Sequence, residues 1–259
     1  MGTTDLSAHV IKNGLGTAVM GCRVRSYTSV NSTMNVARRM AQTGCPEGTI
    51  IVADMQTSGR GRFNRPWASL SGANLTFSVV LWPSPELLRD VNMAATVALV
   101  RCIRDVSGLR TTVKWPNDVR IGGKKACGVL VEGSLADSAG YVILGVGMNV
   151  NYDPTPVLEP RVEATSIAKE LGYEISRLEV MRSFLRIFDR LYRTLNDGDS
   201  LYQEWRSYLD TLGRLVHVRL GEQIEEGFAA DVDRDGDLVL RRADGSTVSL
   251  SAGEVTTQL

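Results

Sequence analysis

Two apolar runs with strand character, Thr49–Asp54 (TIIVAD) and Leu75–Trp82 (LTFSVVLW), flank the segment Gly59-Arg60-Gly61-Arg62-Phe63-Asn64-Arg65-Pro66-Trp67. The first strand runs straight into this loop, and its composition is specific. Glycine lets backbone N–H groups fold tightly around a ligand. The three guanidiniums bind phosphate or carboxylate bidentately and stay charged at any physiological pH. Trp67 can stack on a base or close a pocket. An arginine–glycine loop between two strands points to a phosphorylated or carboxylated small molecule.

The formal net charge is zero, so attraction of anions has to come from this local cluster, and no global field favours nucleic acid. A chain of 259 residues suits one medium domain plus a small one. Cys22, Cys45, Cys102 and Cys127 are widely spaced and form no C-x-x-C. They read as the reduced thiols of a cytoplasmic protein, not as a disulfide frame or zinc site. His9 and His217 lie near opposite ends, which argues against a histidine-based triad or a multi-histidine metal site. No apolar run reaches membrane-spanning length, and the N-terminus lacks the pattern of a signal peptide.

Residues 1–20 read as a lead-in. Asn31–Thr43 reads as a helix that Asn31 or Ser32 can cap and Gly44 can stop. Leu87–Val106 has helical apolar spacing, and Thr112–Trp115 is extended before Pro116. Val119–Ile121, Cys127–Glu132 and Tyr141–Val150 form an antiparallel meander, turning at Gly122-Gly123 and at Leu135–Gly140. Ser176-Arg177-Leu178-Glu179 is a capping box opening a helix to about Leu195, and a second helix spans Leu201–Leu212. Beyond Gly213 the character changes. Arg214–Leu220, Gly227–Val232, Asp237–Arg241 and Thr247–Leu250 are short strands, with turns at Asp235-Gly236 and Asp244-Gly245, the signature of a small β-barrel.

Three further clusters follow the arginine loop: Lys114-Trp115-Pro116-Asn117-Asp118, then Lys124-Lys125-Ala126-Cys127-Gly128-Val129-Leu130-Val131-Glu132, then Gly145-Val146-Gly147-Met148-Asn149-Val150-Asn151. With Gln56 and the loop they match, in order, Q-x-x-G-R-G-R-x-x-R-x-W, K-W-P-N-D, K-x-x-G-[IV]-L-x-E and G-[IV]-G-x-N-x-N. The chain thereby resembles the biotin protein ligases (biotin–acetyl-CoA-carboxylase ligases) over about residues 22 to 257. Asn31-Ser32-Thr33, Ser71–Leu75, Ala164-Thr165-Ser166 and Gly253-Glu254-Val255 are also similar. The resemblance implies an α+β fold, with a class II synthetase-like mixed and antiparallel sheet flanked by helices and a small C-terminal SH3-like β-barrel. It divides the chain into a tail (1–20), a catalytic domain (21–212) and the C-terminal domain (213–259).

It also implies a reaction. Biotin and ATP form biotinyl-5′-AMP and pyrophosphate, and a carrier lysine then attacks the mixed anhydride. Cations have to hold the two anionic substrates together. By resemblance Lys125 is the main catalytic residue, at the biotin carboxylate and α-phosphate. Its neighbour Lys124 would point to the opposite face of a strand. Arg60 and Arg62 are catalytic too and contact the carboxylate and phosphates. Asp118 helps orient or deprotonate the carrier lysine. Ser32, Thr33, Gln56, Arg60, Gly61, Arg62, Lys125, Gly128 and Gly147 are the expected biotin-binding set. Short neutral donors and acceptors suit the ureido ring, and the glycines permit close approach. Met34 stands where several family members carry asparagine. Arg62, Arg65, Trp67, Asn117, Lys125 and Asn149 are expected on the nucleotide side. Trp82 and Trp115 read equally as pocket walls or as core. Mg²⁺ is implied with the ATP phosphates and not in a dedicated protein cage.

The expected partner is a biotin carboxyl carrier protein, such as the acetyl-CoA carboxylase subunit, with no nucleic acid and no membrane. A homodimer would cover a face or edge left by a one-sided sheet. Glu254 is the expected polar contact between the C-terminal domain and the catalytic one. A lipoate–protein ligase is the nearest alternative, but a lipoyl pocket needs no ureido donors. A biotin-responsive repressor is the alternative of another class. About 20 residues precede the catalytic motifs, too few for a helix-turn-helix unit, so a monofunctional form lacking that domain is expected.

Overall fold

The computed structural model describes residues 5–134, 140–154, 163–195 and 199–257. Its first sheet contains β1 (Val24–Val30), β2 (Thr49–Gln56), β3 (Leu75–Leu81), β4 (Thr111–Lys114), β5 (Asp118–Ile121), β6 (Lys124–Ser134) and β7 (Tyr141–Met148). The spatial order is β1-β2-β3-β7-β6-β5-β4. Every pairing is antiparallel except β1 with β2, which is parallel. The sheet is therefore mixed, as expected. The helices are α1 (Ala8–Lys12), α2 (Thr33–Gln42), α3 (Leu88–Ser107), α4 (Ile167–Leu171), α5 (Arg177–Arg193) and α6 (Asp199–Tyr208).

The two-residue period of β2 shows how the sheet is covered. Ile50 and Val52 point into a large core with α3 and α5, whereas Ile51 points into a smaller cluster with Met34, Val36 and Ala37 of α2. Among the described helices α2 is the one in this smaller cluster, and it covers only part of that face, which leaves room for a site. The large core is densely aromatic where α5 meets β3: Phe184 lies 5.3 Å from Phe77 edge-on and 5.6 Å from Phe188 in a stack. Ser176 caps α5 by accepting from Glu179 N, as the capping box predicts.

The second sheet contains β8 (Leu215–Leu220), β9 (Gln223–Val232), β10 (Leu238–Arg241), β11 (Thr247–Leu250) and β12 (Glu254–Thr257), in antiparallel order β11-β10-β9-β8-β12. Val218, Val232, Leu240 and Val255 belong to the same buried cluster as α3 and α5. Trp115 Nε1 donates to Gly236 O at 2.8 Å, and Tyr202 OH donates to Val232 O at 2.6 Å. The C-terminal sheet is therefore docked through a continuous core.

Several expectations need correction. The lead-in is not a loose tail from residue 5 onward: it forms α1, and Leu6, Ile11, Leu15 and Met20 are buried. The buried carboxylate of Asp189 fastens it, accepting N–H bonds from Ala18, Val19 and Met20 at 3.1, 2.7 and 2.8 Å. Strands β1 and β12 were not anticipated. β1 is an edge strand with Arg25, Tyr27, Thr28 and Ser29 exposed, so it lacks apolar alternation. The helix expected to reach Leu212 ends at Tyr208. Of the turn expected at Leu135–Gly140, residues 135–139 lie outside the described residues.

Candidate active site

The uncovered end of the α2 face carries the motif residues. Gly128 of β6 and Gly147 of β7 are register partners and make a floor without side chains. The Trp67 ring lies on that floor. A Cβ on Gly147 would come within 2.5 Å of Trp67 Cε2, and one on Gly128 within 3.4 Å of Trp67 Cζ3. Trp67, expected on the nucleotide side, therefore sits among the residues assigned to biotin. Its Nε1 is buried and makes no hydrogen bond.

Lys125 reaches this floor because of a β-bulge. Strict alternation along β6 would put Lys125 and Gly128 on opposite faces. The register instead runs Val119↔Cys127 and then Arg120↔Lys125, leaving Ala126 as the extra residue. A bulge re-aims the side chains that follow it, and Lys125 Cε lies 3.3 Å from the position of a Gly128 Cβ. Its ammonium is 2.7 Å from Asp118 Oδ1 and 5.6 Å from the centre of the Trp67 ring. Lys124 turns away, with its Nζ 3.8 Å from Glu170 Oε1.

At the other end of the floor is a neutral polar cluster. Gln56 Oε1 accepts from Thr33 N at 2.8 Å and from Thr33 Oγ1 at 3.1 Å, and Thr33 Oγ1 is 2.8 Å from Ser78 Oγ. Ser32 occupies the N-cap position of α2, yet its hydroxyl makes no capping bond. Ser78 was missed by the sequence reading. Its one sequence signal is a lone serine inside the apolar run Leu75–Leu81, which folds as a strand buried at all seven positions. Met34 packs on the third glycine of this face, its Sδ only 2.7 Å from the position of a Gly145 Cβ.

The arginine loop is a small hairpin. Trp67 N bonds Gly59 O at 2.9 Å and Gly61 N bonds Arg65 O at 2.8 Å. At its tip Phe63 and Asn64 have φ of 56° and 57°. Asparagine tolerates that left-handed conformation, but for Phe63 it costs roughly 1–2 kcal/mol. The Arg62 guanidinium lies 5.1 Å from the Phe63 ring centre, and its Nη1 donates to Asn117 Oδ1 at 3.3 Å. Burial lowers the Arg62 pKa, with the carboxylates of Asp118 and Glu254 opposing. Burial likewise pulls Lys114 down, helped by the charge of Arg120 and opposed by Asp118 and Glu254. Arg65, at the rim, is ion-paired with Glu254 of β12. Arg60 is engaged away from Lys125, with Glu132 and with Asn35.

Beyond the loop, Asp54 holds the Ser71-Gly72 turn, accepting from Ser71 Oγ at 2.6 Å and Gly72 N at 3.2 Å. Arg177, almost fully buried, donates to Asp54 at 2.8 Å and to Asn74 O at 3.0 Å. Burial alone would raise the Asp54 pKa, but the Ser71 and Arg177 bonds more than offset it and leave it below the usual carboxylate value.

Of Asn149, expected on the nucleotide side, and Trp115 and Trp82, expected equally as pocket walls or as core, both tryptophans lie away from the Lys125 floor and Asn149 supports it indirectly. Asn149 is buried and donates to Thr165 O at 3.0 Å. It fixes the 163–165 segment, which pairs with Lys125 through Lys125 N–Glu163 O and Thr165 N–Lys125 O, both 2.9 Å. Trp115 is core, tied to the C-terminal sheet. Trp82 follows the far end of β3, six residues from Thr76, the partner of Gly147, hence about 20 Å away at the rise of a strand. There it packs on Tyr141 and donates to Cys45 O.

The chain is similar to known proteins. The Biotin/lipoate A/B protein ligase family matches residues 26–149, and the Biotin protein ligase C terminal domain matches residues 211–256. The chain is 35% identical over 246 residues to the Bifunctional ligase/repressor BirA of Bacillus subtilis, covering 93% of this chain and 76% of that protein. It is 32% identical over 234 residues to the Biotin--[acetyl-CoA-carboxylase] ligase of Mycobacterium tuberculosis, covering 87% and 85%. The structure of the biotin protein ligase from Aquifex aeolicus in complex with biotin and ATP superposes with a TM-score of 0.75 at 26% identity, covering 92% of this chain and 99% of that one. The Leishmania major ligase with biotinyl-5-AMP gives 0.62 at 26% identity, covering 89% and 99%. Similarity of this extent, through both the sheet that carries Lys125 and the one that carries Glu254, places the chain in the biotin protein ligase family.

Proposed function

We propose that this chain is an ATP-dependent biotin protein ligase whose chemistry is centred on Lys125, above the Gly128–Gly147 floor. The observation that carries this reading is the sequence of environments along one face: neutral hydrogen-bonding groups at Thr33, Gln56 and Ser78, a flat apolar floor under Trp67, then the cations Lys125 and Arg62. That order matches biotin itself, with a ureido head, an apolar ring and chain, and a terminal carboxylate. The neutral cluster also favours biotin over lipoate, whose dithiolane has no matching donors or acceptors.

In the first step a biotin carboxylate oxygen attacks the α-phosphorus of ATP, and pyrophosphate leaves with the electron pair of the broken P–O bond. Lys125 and Arg62 lower the repulsion between the two anions and follow the charge as it moves. Arg65 and Asn117 are the further residues proposed to meet the phosphates. Mg²⁺ would come with those phosphates, where it masks charge through few protein ligands. In the second step the amine of a carrier lysine attacks the anhydride carbonyl, and AMP leaves. Asp118 stands 2.7 Å from Lys125, where it can take the proton of the incoming ammonium. A cavity of about 370 Å³ is lined by Arg62, Asn117 and Val129–Val131 together with Trp205 and Asp235–Asp237. Among the described residues no helix is long and apolar enough to cross a membrane. With four free cysteines, a cytoplasmic location is the proposal.

The test is mass spectrometry of a carboxylase carrier domain after incubation with the protein, biotin and MgATP. A gain of one biotinyl group is expected. Loading by lipoate in place of biotin would overturn the reading.

A further inference from the structure

We infer that Glu132 is a positioning residue for biotinylation: it holds the Arg60 guanidinium against α2 and so fixes the stem of the arginine loop while the tip closes on the anhydride. The inference rests on the ligase reading above and assigns a role to a charge cluster that the reading leaves unused.

Arg60 is held from two elements at once. Its Nε and Nη2 lie 3.4 and 3.2 Å from the two carboxylate oxygens of Glu132 on β6, and its Nη1 donates to Asn35 Oδ1 on α2 at 2.8 Å. The side-on edge of the guanidinium is thus occupied before any ligand arrives. Arg38 of α2 pairs with the same carboxylate from the other side. The three side chains are only partly exposed, 20% for Arg60, 29% for Glu132 and 39% for Arg38, so solvent screening is incomplete. Two guanidiniums against one carboxylate leave a surplus positive charge on the wall of an anion site.

Distance makes this role indirect. Glu132 lies on the same face of β6 as Gly128, four residues along, hence about 13 Å away at the rise of a strand. It cannot touch an anhydride held at Lys125, but it can act through Arg60. The backbone ladder places Arg60 opposite Pro66 at the base of the hairpin, whereas Arg62, Phe63, Asn64 and Arg65 form the tip. An ion pair at the base and strain at the tip divide the loop into a fixed stem and a part that can rearrange. Loosening the stem would let water reach the adenylate while the chemistry at Lys125 stays intact.

The experiment uses the whole protein loaded with biotinyl-AMP from biotin and MgATP. The readouts are adenylate loss to solvent without a carrier, single-turnover adenylation, and thermal unfolding. Glu132→Gln should raise the loss by about tenfold, the scale of one charge-assisted contact, with adenylation nearly unchanged. Arg60→Lys should raise it similarly, and the double variant should be no worse than the worse single, because the two act as one unit. Arg38→Gln should shift the loss in the same direction by less, and it carries the test if Glu132→Gln unfolds. Wild-type retention in a folded Glu132→Gln protein, or effects that multiply in the double variant, would overturn the inference alone. Failure of the wild type to form biotinyl-AMP would overturn the ligase reading and the inference with it.

Discussion

The Lys125 ammonium and the Asp118 carboxylate meet at 2.7 Å across adjacent strands, although the register partner of Asp118 is Gly128. The bulge at Ala126 makes the meeting. It gives Lys125 a fixed carboxylate partner beside the glycine floor and leaves Lys124 on the opposite side, near Glu170.

Lys125→Ala should therefore lower the rate of adenylate formation by about 10²–10³, the usual cost of removing one preorganised charge at a reacting centre. Lys124→Ala should change it less than about threefold, the scale of one exposed ion pair. Pyrophosphate release under biotin and MgATP measures both. Equal losses in the two variants would mean that the bulge does not set the site.

Gly147→Ala puts a methyl group where the Trp67 indole now lies, within 2.5 Å of Cε2. The ring, not the sheet, has to give. Biotin affinity measured by calorimetry should fall by about tenfold or more, at the scale of an overpacked site, with thermal stability little changed. Unaltered biotin binding would remove Trp67 and Gly147 from the biotin pocket.

Glu254 joins the C-terminal sheet to the arginine loop through Arg65. Hydrogen bonding from Arg65 lowers its pKa, burial opposes this, and the charges of Arg65, Lys114 and Arg219 lower it further. Because the folded pKa is depressed, the unfolded chain takes up the proton first. The contribution of the pair is complete above the ordinary glutamate pKa of about 4.3 and is lost as pH falls through the lower folded value. NMR titration of the Glu254 carboxyl should give a midpoint below the ordinary value, and Arg65→Ala should move it up. At neutral pH Glu254→Gln should raise adenylate loss. A Glu254 midpoint indifferent to Arg65 would show that the contact does not persist in solution.

Deletion of residues 214–259 removes Val232, Leu238 and Leu240 from the buried cluster they share with residues of α3 and α6. The truncated protein should lose adenylation and unfold at a lower temperature. Trp115→Phe probes the same junction, removing the bond to Gly236 O and part of a fully buried side chain, and should cost about 1–3 kcal/mol in chemical denaturation. A truncated protein that folds and biotinylates its carrier at the full rate would make the C-terminal sheet a separate module.

Local chemistry and residue order were enough to read the family, the arginine loop between β2 and β3 and the capping box of α5, and to propose Lys125 over Lys124. Each depends on neighbours in the chain: glycine and proline at turns, a side-chain oxygen three residues from an N–H, a lysine at fixed spacing from a glycine. Other features depend on residues far apart in sequence and were settled only by the fold. A one-residue bulge inverts the face on which Lys125 emerges, and strand periodicity cannot reveal it, because nothing in the alternation of β6 marks Ala126 as surplus. Ser78 joins Thr33 and Gln56 only once β3 lies beside β2. Arg60 faces Glu132, 72 residues away, and Trp115 bonds Gly236, 121 residues away. Short-range patterns determine which elements form and what chemistry they carry. Which side chains share one face, and which charges meet, is decided by register and packing, where burial of the whole core outweighs any local preference.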